Sequence, residues 1–111
     1  MKKLLDGILK FRQGDFETHR DLFKELKNRQ QPHTLFITCS DSRIDPNMIT
    51  GTLPGELFIV RNIGNIVPPH RESVEYLATT SAIEYAVLSL QVTDIIVCGH
   101  SNCGGCAAGL A

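Results

Sequence analysis

The sequence lacks an excess of charge of either sign, and this removes two classes of binding partner. Its 111 residues include 11 lysines and arginines against 12 aspartates and glutamates, for a formal net charge of −1. Proteins that bind nucleic acid or anionic membranes normally present clustered positive charge. We therefore expect no nucleic acid and no membrane among the partners of this chain.

A long apolar run is also missing. A membrane-spanning helix needs about 20 consecutive apolar residues, and every run here is far shorter. The N-terminus begins like a signal peptide, but Asp6 and Lys10 interrupt it before an apolar segment forms. The sequence therefore predicts a cytoplasmic protein, whose four cysteines serve as thiols or metal ligands rather than in disulfides.

The residues that are present suffice for one small domain preceded by a helical arm. Hydrophobic residues make up 42% of the chain, well above the level of a disordered segment. Apolar side chains at helical spacing predict one helix over residues 4–13, ended by Gly14, and a second from Asp15, as N-cap, to about Asn28. Their apolar surface suggests an arm that lies on a partner subunit. The expected division is residues 1–30 for the N-terminal helical arm and residues 31–111 for the core of a single domain.

The core alternates short apolar runs with polar loops. Residues 35–39, 57–60 and 94–99 are predicted strands, and residues 74–90 a helix with Ser73 as its N-cap. Strands this continuously apolar are typical of parallel sheets covered on both faces. The order of elements predicts an α/β fold, with a central mostly parallel sheet flanked by helices. The apolar stripe expected on the helix comprises Val74, Leu77, Ala78, Ser81, Ala82, Tyr85 and Leu88.

All three predicted strands end in polar clusters, at residues 39–43, 61–65 and 100–103. Open sheets of this class form their sites at the carboxyl ends of the strands. The coincidence therefore predicts an active site at one edge of the sheet. Directly after the last cluster, Gly104 and Gly105 favour a close approach of the backbone to this site.

Zinc is the metal that these clusters favour. His100 and Cys103 are three residues apart and can converge from one turn, while Cys39 adds a thiolate from a neighbouring strand. Three protein ligands and one open position are typical of catalytic zinc, whereas structural zinc is usually closed by four. We predict one Zn²⁺ per chain, bound by Cys39, His100 and Cys103, with water or Asp41 in the fourth position.

Asp41 and Arg43 are the predicted catalytic residues. They are two apart, so on an extended segment they face the same way. The Arg43 guanidinium would keep the Asp41 carboxylate ionised and in one orientation. That carboxylate would accept a hydrogen bond from zinc-bound hydroxide and aim its lone pair at an electrophile.

Plainer interpretations exist for each residue. A lone cysteine on an apolar strand is usually a small hydrophobe, and an isolated Asp-x-Arg pair is usually a surface salt bridge. Arg61 and Asn65 have an equally plain use as donors to carbonyls at the strand end. A rival of another class is a non-catalytic zinc domain closed by four cysteines, namely Cys39, Cys98, Cys103 and Cys106.

Five motifs together resemble the β-class carbonic anhydrases. They are Cys39-Ser40-Asp41-Ser42-Arg43, Pro54-Gly55-Glu56-Leu57-Phe58, Arg61-Asn62-Ile63-Gly64-Asn65, Ser81-Ala82-Ile83-Glu84-Tyr85-Ala86 and Cys98-Gly99-His100-Ser101-Asn102-Cys103-Gly104-Gly105. The resemblance implies reversible hydration of carbon dioxide to bicarbonate and a proton, with the zinc ligands and the catalytic pair given above. It also implies a homodimer or a higher assembly of dimers, with the active-site cleft at the dimer interface.

The resemblance carries three further expectations. Some members adopt a closed site at lower pH, which Asp41 could reach as fourth ligand if Arg43 releases it. Members continue past the zinc cysteine, so the family's C-terminal strand and helices are expected to be absent from a truncated chain. Hydrolysis of carbon disulfide or carbonyl sulfide on the same scaffold stays open, as does a non-catalytic zinc-binding domain if truncation abolishes activity.

Overall fold

The computed structural model describes residues 1–75 and 77–110. The chain divides into two compact units, and the boundary between them in the sequence falls after Gln30. The first unit contains α1 (Lys2–Gln13), α2 (Asp15–Thr18) and α3 (Arg20–Leu26). The second contains β1 (Thr34–Cys39), α4 (Pro46–Thr50), β2 (Leu57–Asn62), α5 (Ala78–Glu84) with a π-helical continuation (Tyr85–Ser89), β3 (Asp94–Cys98) and α6 (Gly104–Leu110). Among these residues no helix has the length and apolarity to cross a membrane.

The N-terminal unit forms three helices where the sequence predicts two. α1 ends at Gly14 as expected, and the Gly14 N–H donates to the carbonyl of Lys10 at 2.9 Å. The second predicted helix is wrong as a continuous element, because it breaks at His19 with φ −108° and ψ 25°. Asp15 is the first helical residue of α2 rather than its N-cap. The Thr18 hydroxyl donates back to the Gly14 carbonyl at 3.2 Å, a bond that bends helices.

Three phenylalanines hold this unit together. Phe16 and Phe23 stack with ring centroids 5.4 Å apart, and Phe11 meets both rings edge-on. Four apolar side chains of α1 remain between 54% and 65% exposed: Leu4, Leu5, Ile8 and Leu9. The unit therefore presents an apolar helix surface beside its own aromatic cluster.

The second unit is built on a three-stranded parallel sheet in the order β2-β1-β3. Every residue of the central strand β1 is buried. In the register, Thr38 lies opposite Arg61 on one side and Cys98 on the other, and Cys39 lies opposite Asn62. The predicted α/β class, with a parallel sheet, flanking helices and N-terminal helices, is confirmed.

The predicted helix of residues 74–90 begins later than the sequence suggests. α5 starts at Ala78, and Val74 is fully exposed. Ser73 is not its N-cap, since the Ser73 hydroxyl accepts the Glu75 N–H at 3.0 Å in a local turn. Serine side chains offer the backbone this alternative to helix. Tyr76, within the predicted helix, lies outside the described residues.

The face that this helix turns to the sheet also differs from the predicted stripe. Ile83 and Ala86 pack against Leu35 and Ile37 of β1, whereas Leu88, a predicted member of the stripe, is 74% exposed. From Tyr85 onward the segment is π-helical. A π-helix bonds i to i+5, so the side chains that follow do not keep the 3.6-residue period.

Burial is uneven across the sheet. Ile95, Ile96 and Val97 of the edge strand β3 are each about half-exposed. Among the residues that the structure describes, the predicted burial of both faces of the sheet therefore holds for β1 but not for β3.

Candidate metal centre

Parallel pairing brings the carboxyl ends of the three strands to one edge of the sheet. β1 ends at Cys39, beside Asn62 at the end of β2. β3 ends at Cys98, and the following loop carries His100 and Cys103 to the start of α6. The three polar clusters thus lie together, as the sequence predicts.

Cys39, His100 and Cys103 form the one group of potential metal ligands found among the described residues. Their Sγ and ring nitrogen atoms all lie within 4.8 Å of one another, and the two sulfurs are 3.8 Å apart. Two sulfur atoms bound at about 2.3 Å to one tetrahedral zinc ion stand about 3.8 Å apart. The separation of the sulfurs therefore fits zinc, and Cys39 is only 4% exposed.

The ring of His100 provides a second test of that fit. Its Nδ1 lies 2.8 Å from the Ser101 carbonyl, which fixes the proton on Nδ1 and leaves a lone pair on Nε2. Nε2 is buried and has no hydrogen-bond partner within the described part of the chain. A buried acceptor without a donor is costly, and a metal ion would satisfy it. The donor set of two sulfurs and one imidazole is one that zinc takes.

The surroundings of Cys39 favour its thiolate form, which is the form that binds a metal ion. Hydrogen bonds lower the pKa of Cys39 to about 6: the largest effect comes from the imidazole of His100 when both of its nitrogens are protonated, and the backbone N–H groups of Gly64 and Asp41 act in the same direction. The Gly64 nitrogen lies 3.4 Å from the Cys39 sulfur. Metal binding requires ionised cysteine, so this arrangement lowers the cost of ionising the buried ligand.

Asp41 and Arg43 form a bidentate ion pair beside these ligands. Arg43 Nε donates to Asp41 Oδ1 at 3.0 Å and Nη2 donates to Oδ2 at 2.8 Å, while the Arg43 backbone N–H adds a bond to Oδ1 at 2.8 Å. These bonds hold the pKa of the Asp41 carboxyl well below its usual range. Oδ2 lies 3.8 Å from His100 Nε2. A carboxylate that Arg43 favours in its ionised form thus faces the candidate ligands.

The pair of Asp41 and Arg43 is tied to the loop of His100 and Cys103 as well. Arg43 Nη2 also donates to the carbonyl of Asn102 at 3.0 Å. Asn102 directly precedes Cys103, so one guanidinium joins the two strand-end loops. The carboxylate of Asp41 is largely covered, with 17% of its side chain exposed, whereas the side chain of Arg43 is 59% exposed.

The four-cysteine alternative is not assembled. The group of candidate ligands found in the described residues leaves out Cys98 and Cys106. Cys98 Sγ donates to the Gly99 carbonyl at 3.5 Å, and Cys106 Sγ donates to the Gly64 carbonyl at 3.7 Å. These two thiols therefore have backbone partners of their own.

Glycines shape the site, partly as predicted. A Cβ on Gly105 would stand 2.7 Å from the Gly64 nitrogen, so the predicted close approach holds for Gly105, whereas Gly104 has open space. Sequence reasoning missed the role of Gly64, whose N–H points at the Cys39 sulfur. Its φ of 84° is one that glycine adopts readily. A glycine inside a strand-end polar cluster was the available signal.

Known proteins resemble this chain in sequence and in structure. A sequence model described as carbonic anhydrase matches residues 34–111. A Helicobacter pylori carbonic anhydrase is 48% identical over 102 residues, which are 92% of this chain and 46% of that protein. The chain spans about half the length of the curated relatives it matches.

Two solved structures extend the likeness to the fold. The β-carbonic anhydrase CcaA superposes with a TM-score of 0.88 at 51% identity, over 94% of this chain and 50% of that one. One of two tetrameric β-carbonic anhydrases from Sordaria macrospora gives a TM-score of 0.86 at 39% identity, over 99% and 53%.

Proposed function

Because this chain belongs to the β-carbonic anhydrase family, we propose that the protein catalyses the reversible hydration of carbon dioxide to bicarbonate and a proton. The convergence of Cys39, His100 and Cys103 within 4.8 Å is the observation that carries the proposal. The ion pair of Asp41 and Arg43 beside them supplies the second half of the machinery.

In this proposal, Cys39, His100 and Cys103 hold one Zn²⁺ per chain. Bound zinc supplies a Lewis acid that lowers the pKa of water towards neutrality. His100 contributes the lone pair of Nε2 because the Ser101 carbonyl keeps the proton on Nδ1. The N–H of Gly64 stabilises negative charge on the Cys39 sulfur.

Asp41 is proposed to orient the attacking water. An ionised carboxylate accepts hydrogen bonds and cannot donate one. Asp41 would therefore accept a hydrogen bond from an O–H of the water. This bond would turn a lone pair of the water oxygen towards the carbon of carbon dioxide. Arg43 keeps Asp41 ionised and fixes its plane through two parallel side-chain bonds. Because both carboxylate oxygens are bound to Arg43, Asp41 could become a fourth metal ligand only after its bonds to Arg43 break.

A homodimer, or a higher assembly of dimers, is proposed for the protein. The half-exposed apolar side chains of α1 support it, since a monomer gains nothing by presenting them to water. The Sordaria macrospora relatives are described as tetrameric. Residues 1–30 are proposed as the arm and residues 31–111 as the zinc-binding core. The partners are then carbon dioxide, bicarbonate and further copies of the chain, without nucleic acid or membrane.

A cytoplasmic location is proposed on the chemistry of the site. All four cysteines are free thiols in the described residues. A centre that depends on two thiolates requires a compartment that keeps thiols reduced.

The proposal is tested by stopped-flow hydration of carbon dioxide with zinc analysis of the same samples. We expect catalysis by the zinc-loaded protein, and His100→Ala to lose zinc and turnover together. His70→Ala is the matched control, because His70 is exposed and pairs with Glu84 away from the site. Carbon disulfide and carbonyl sulfide are assayed in parallel. A zinc-loaded protein that hydrolyses either of these but leaves carbon dioxide untouched would overturn the assignment.

A further inference from the structure

The side chain of Arg61 binds three backbone carbonyls, one at the last residue of β1 and two in the loop that leads to α4. Its Nε donates to the carbonyl of Cys39 at 2.9 Å. Its Nη2 donates to the carbonyls of Asp41 and Ile44 at 2.7 and 2.9 Å. One guanidinium thus fixes the path of this loop at three points. The loop carries both Asp41 and Arg43.

The register of the sheet explains how Arg61 reaches the loop. Arg61 lies in β2 opposite Thr38 of β1, one residue before β1 ends. Its long side chain can therefore extend beyond the last residue of β1. A guanidinium presents five N–H donors in a rigid planar fork, whereas an ammonium group is a single point of charge. Three separated carbonyls therefore fit the guanidinium of arginine better than the ammonium group of lysine.

The bonds of Arg61 bear on the carboxylate of Asp41 through the backbone. The Asp41 carbonyl accepts from Arg61 and also from the Ile44 N–H at 3.2 Å. The Asp41 carboxylate accepts the Arg43 N–H at 2.8 Å. Both backbone donors belong to the turn that follows Asp41. Fixing this turn therefore sets the direction of the carboxylate towards His100.

We propose that Arg61 is a positioning residue, which holds the Asp41 carboxylate in place at the metal centre by fixing the turn of residues 41–44. The proposal rests on the proposed function, in which Asp41 orients the attacking water. The bonds of Arg61 go to backbone carbonyls, so Arg61 acts through the residues that it holds, and these include both Cys39 and Asp41. Zinc content measured beside kcat separates an effect through Asp41 from one through Cys39. Hydrogen bonds from a charged donor are about twice as strong as neutral ones, which suits a loop at the surface.

Amide hydrogen exchange measured by NMR on the zinc-loaded protein tests the positioning directly and needs no activity. In Arg61→Ala, we expect the amides of Arg43 and Ile44 to exchange about tenfold faster. The loss of the Arg61 hydrogen bonds lowers the free energy needed to open the turn of residues 41–44. The amide of Ile37 within β1 should keep its protection. Arg71→Ala is the matched control, since Arg71 is exposed and pairs with the exposed Glu75.

Two results would overturn the proposal in this experiment. Unchanged exchange at Arg43 and Ile44 would mean that Arg61 does not hold the turn. An equal acceleration at Ile37 would mean that Arg61 supports the whole sheet and not the turn. If Arg61→Ala does not fold, Arg61→Lys replaces it, because lysine keeps the charge and cannot span three carbonyls.

Kinetics then separate positioning from simple stability. Arg61→Lys should bind one zinc per chain and lose about tenfold or more in kcat with little change in KM. Millimolar guanidinium should restore part of the kcat of Arg61→Ala, and methylammonium should not. Full kcat in Arg61→Lys, or loss of zinc in parallel with kcat, would contradict the proposal. A wild-type protein without hydratase activity would instead refute the proposed function, and the exchange experiment would still decide the role of Arg61.

Discussion

The side chains of Asp41, His100 and Cys39 have different hydrogen-bond partners. Arg43 gives Asp41 three bonds, while the His100 ring is fixed by the Ser101 carbonyl. The sulfur of Cys39 receives the Gly64 N–H. At the scale of the residue, therefore, binding of the metal and orientation of the water can be removed one at a time.

Arg43→Ala is predicted to abolish most turnover while zinc stays bound. The substitution removes both side-chain bonds to Asp41, and the carboxylate is then free to rotate away from the substrate or towards the metal. Removal of one such electrostatic group costs about 10²–10³ in kcat. Stopped-flow hydration and zinc analysis are the measurements.

The control for this prediction is Arg20→Ala. Arg20 forms a similar two-bond pair with Glu17 in the N-terminal unit, outside the group of candidate ligands. Turnover and zinc should both be unchanged there. Zinc lost together with turnover in Arg43→Ala would assign Arg43 to support of the ligand loop instead.

The ends of the strands are the elements that the sequence could predict. An apolar run that stops at a polar cluster marks burial and the carboxyl edge at once, so residues 39, 100 and 103 could be expected to meet. The helix before β3 could not be placed so well. Ser73 forms a local turn, and the π-helical residues Tyr85–Ser89 break the period. The turn and the π-helix both depend on particular hydrogen bonds, which cannot be predicted from the spacing of apolar residues.

The meeting of two strand ends predicts that Cys39 and Cys103 form a disulfide when metal is absent. Their sulfurs are 3.8 Å apart, so a small rotation of each side chain allows a bond. With hydrogen peroxide, the two thiols lose their hydrogens and join, and the peroxide is reduced to two waters. Mass spectrometry of digested, chelator-treated protein should find this link, and zinc-loaded protein should resist it. In a Cys106→Ser variant, which removes the thiol three residues after Cys103, a link that leaves out Cys39 would show that the two strand ends are not juxtaposed.

The contact between α6 and the end of β2 gives a second test of elements. A Cβ on Gly105 would stand 2.7 Å from the Gly64 nitrogen and 2.7 Å from Ile63 Cγ2. Gly105→Ala should lower the free energy of unfolding by about 1–3 kcal/mol. Gly104→Ala meets nothing within 4 Å and should be neutral or slightly stabilising, because alanine favours helix. Urea unfolding of the two variants decides, and equal stability would mean that the approach is looser than the structure has it.

For the whole molecule, the exposed apolar surface matters most. It occurs in both units: on α1, and on the edge strand β3, where Ile95, Ile96 and Val97 are half-exposed. Composition and periodicity could predict that these side chains are apolar, but what covers them depends on contacts beyond the described residues. The apolar face of α1 is the surface that the proposed dimer would use.

Leu5→Glu/Leu9→Glu is therefore predicted to weaken the assembly. The two leucines are one helical turn apart on α1 and are 54% and 55% exposed, so their loss should not disturb the interior. Each leucine buried in an interface contributes about 1.5–3 kcal/mol, and a carboxylate there adds a desolvation cost. Light scattering after size-exclusion chromatography should show a shift to monomer at micromolar protein. Gln13→Glu, which adds one negative charge to α1 where the double variant adds two, should leave the assembly intact. A double variant that still forms dimers would exclude this face from the interface.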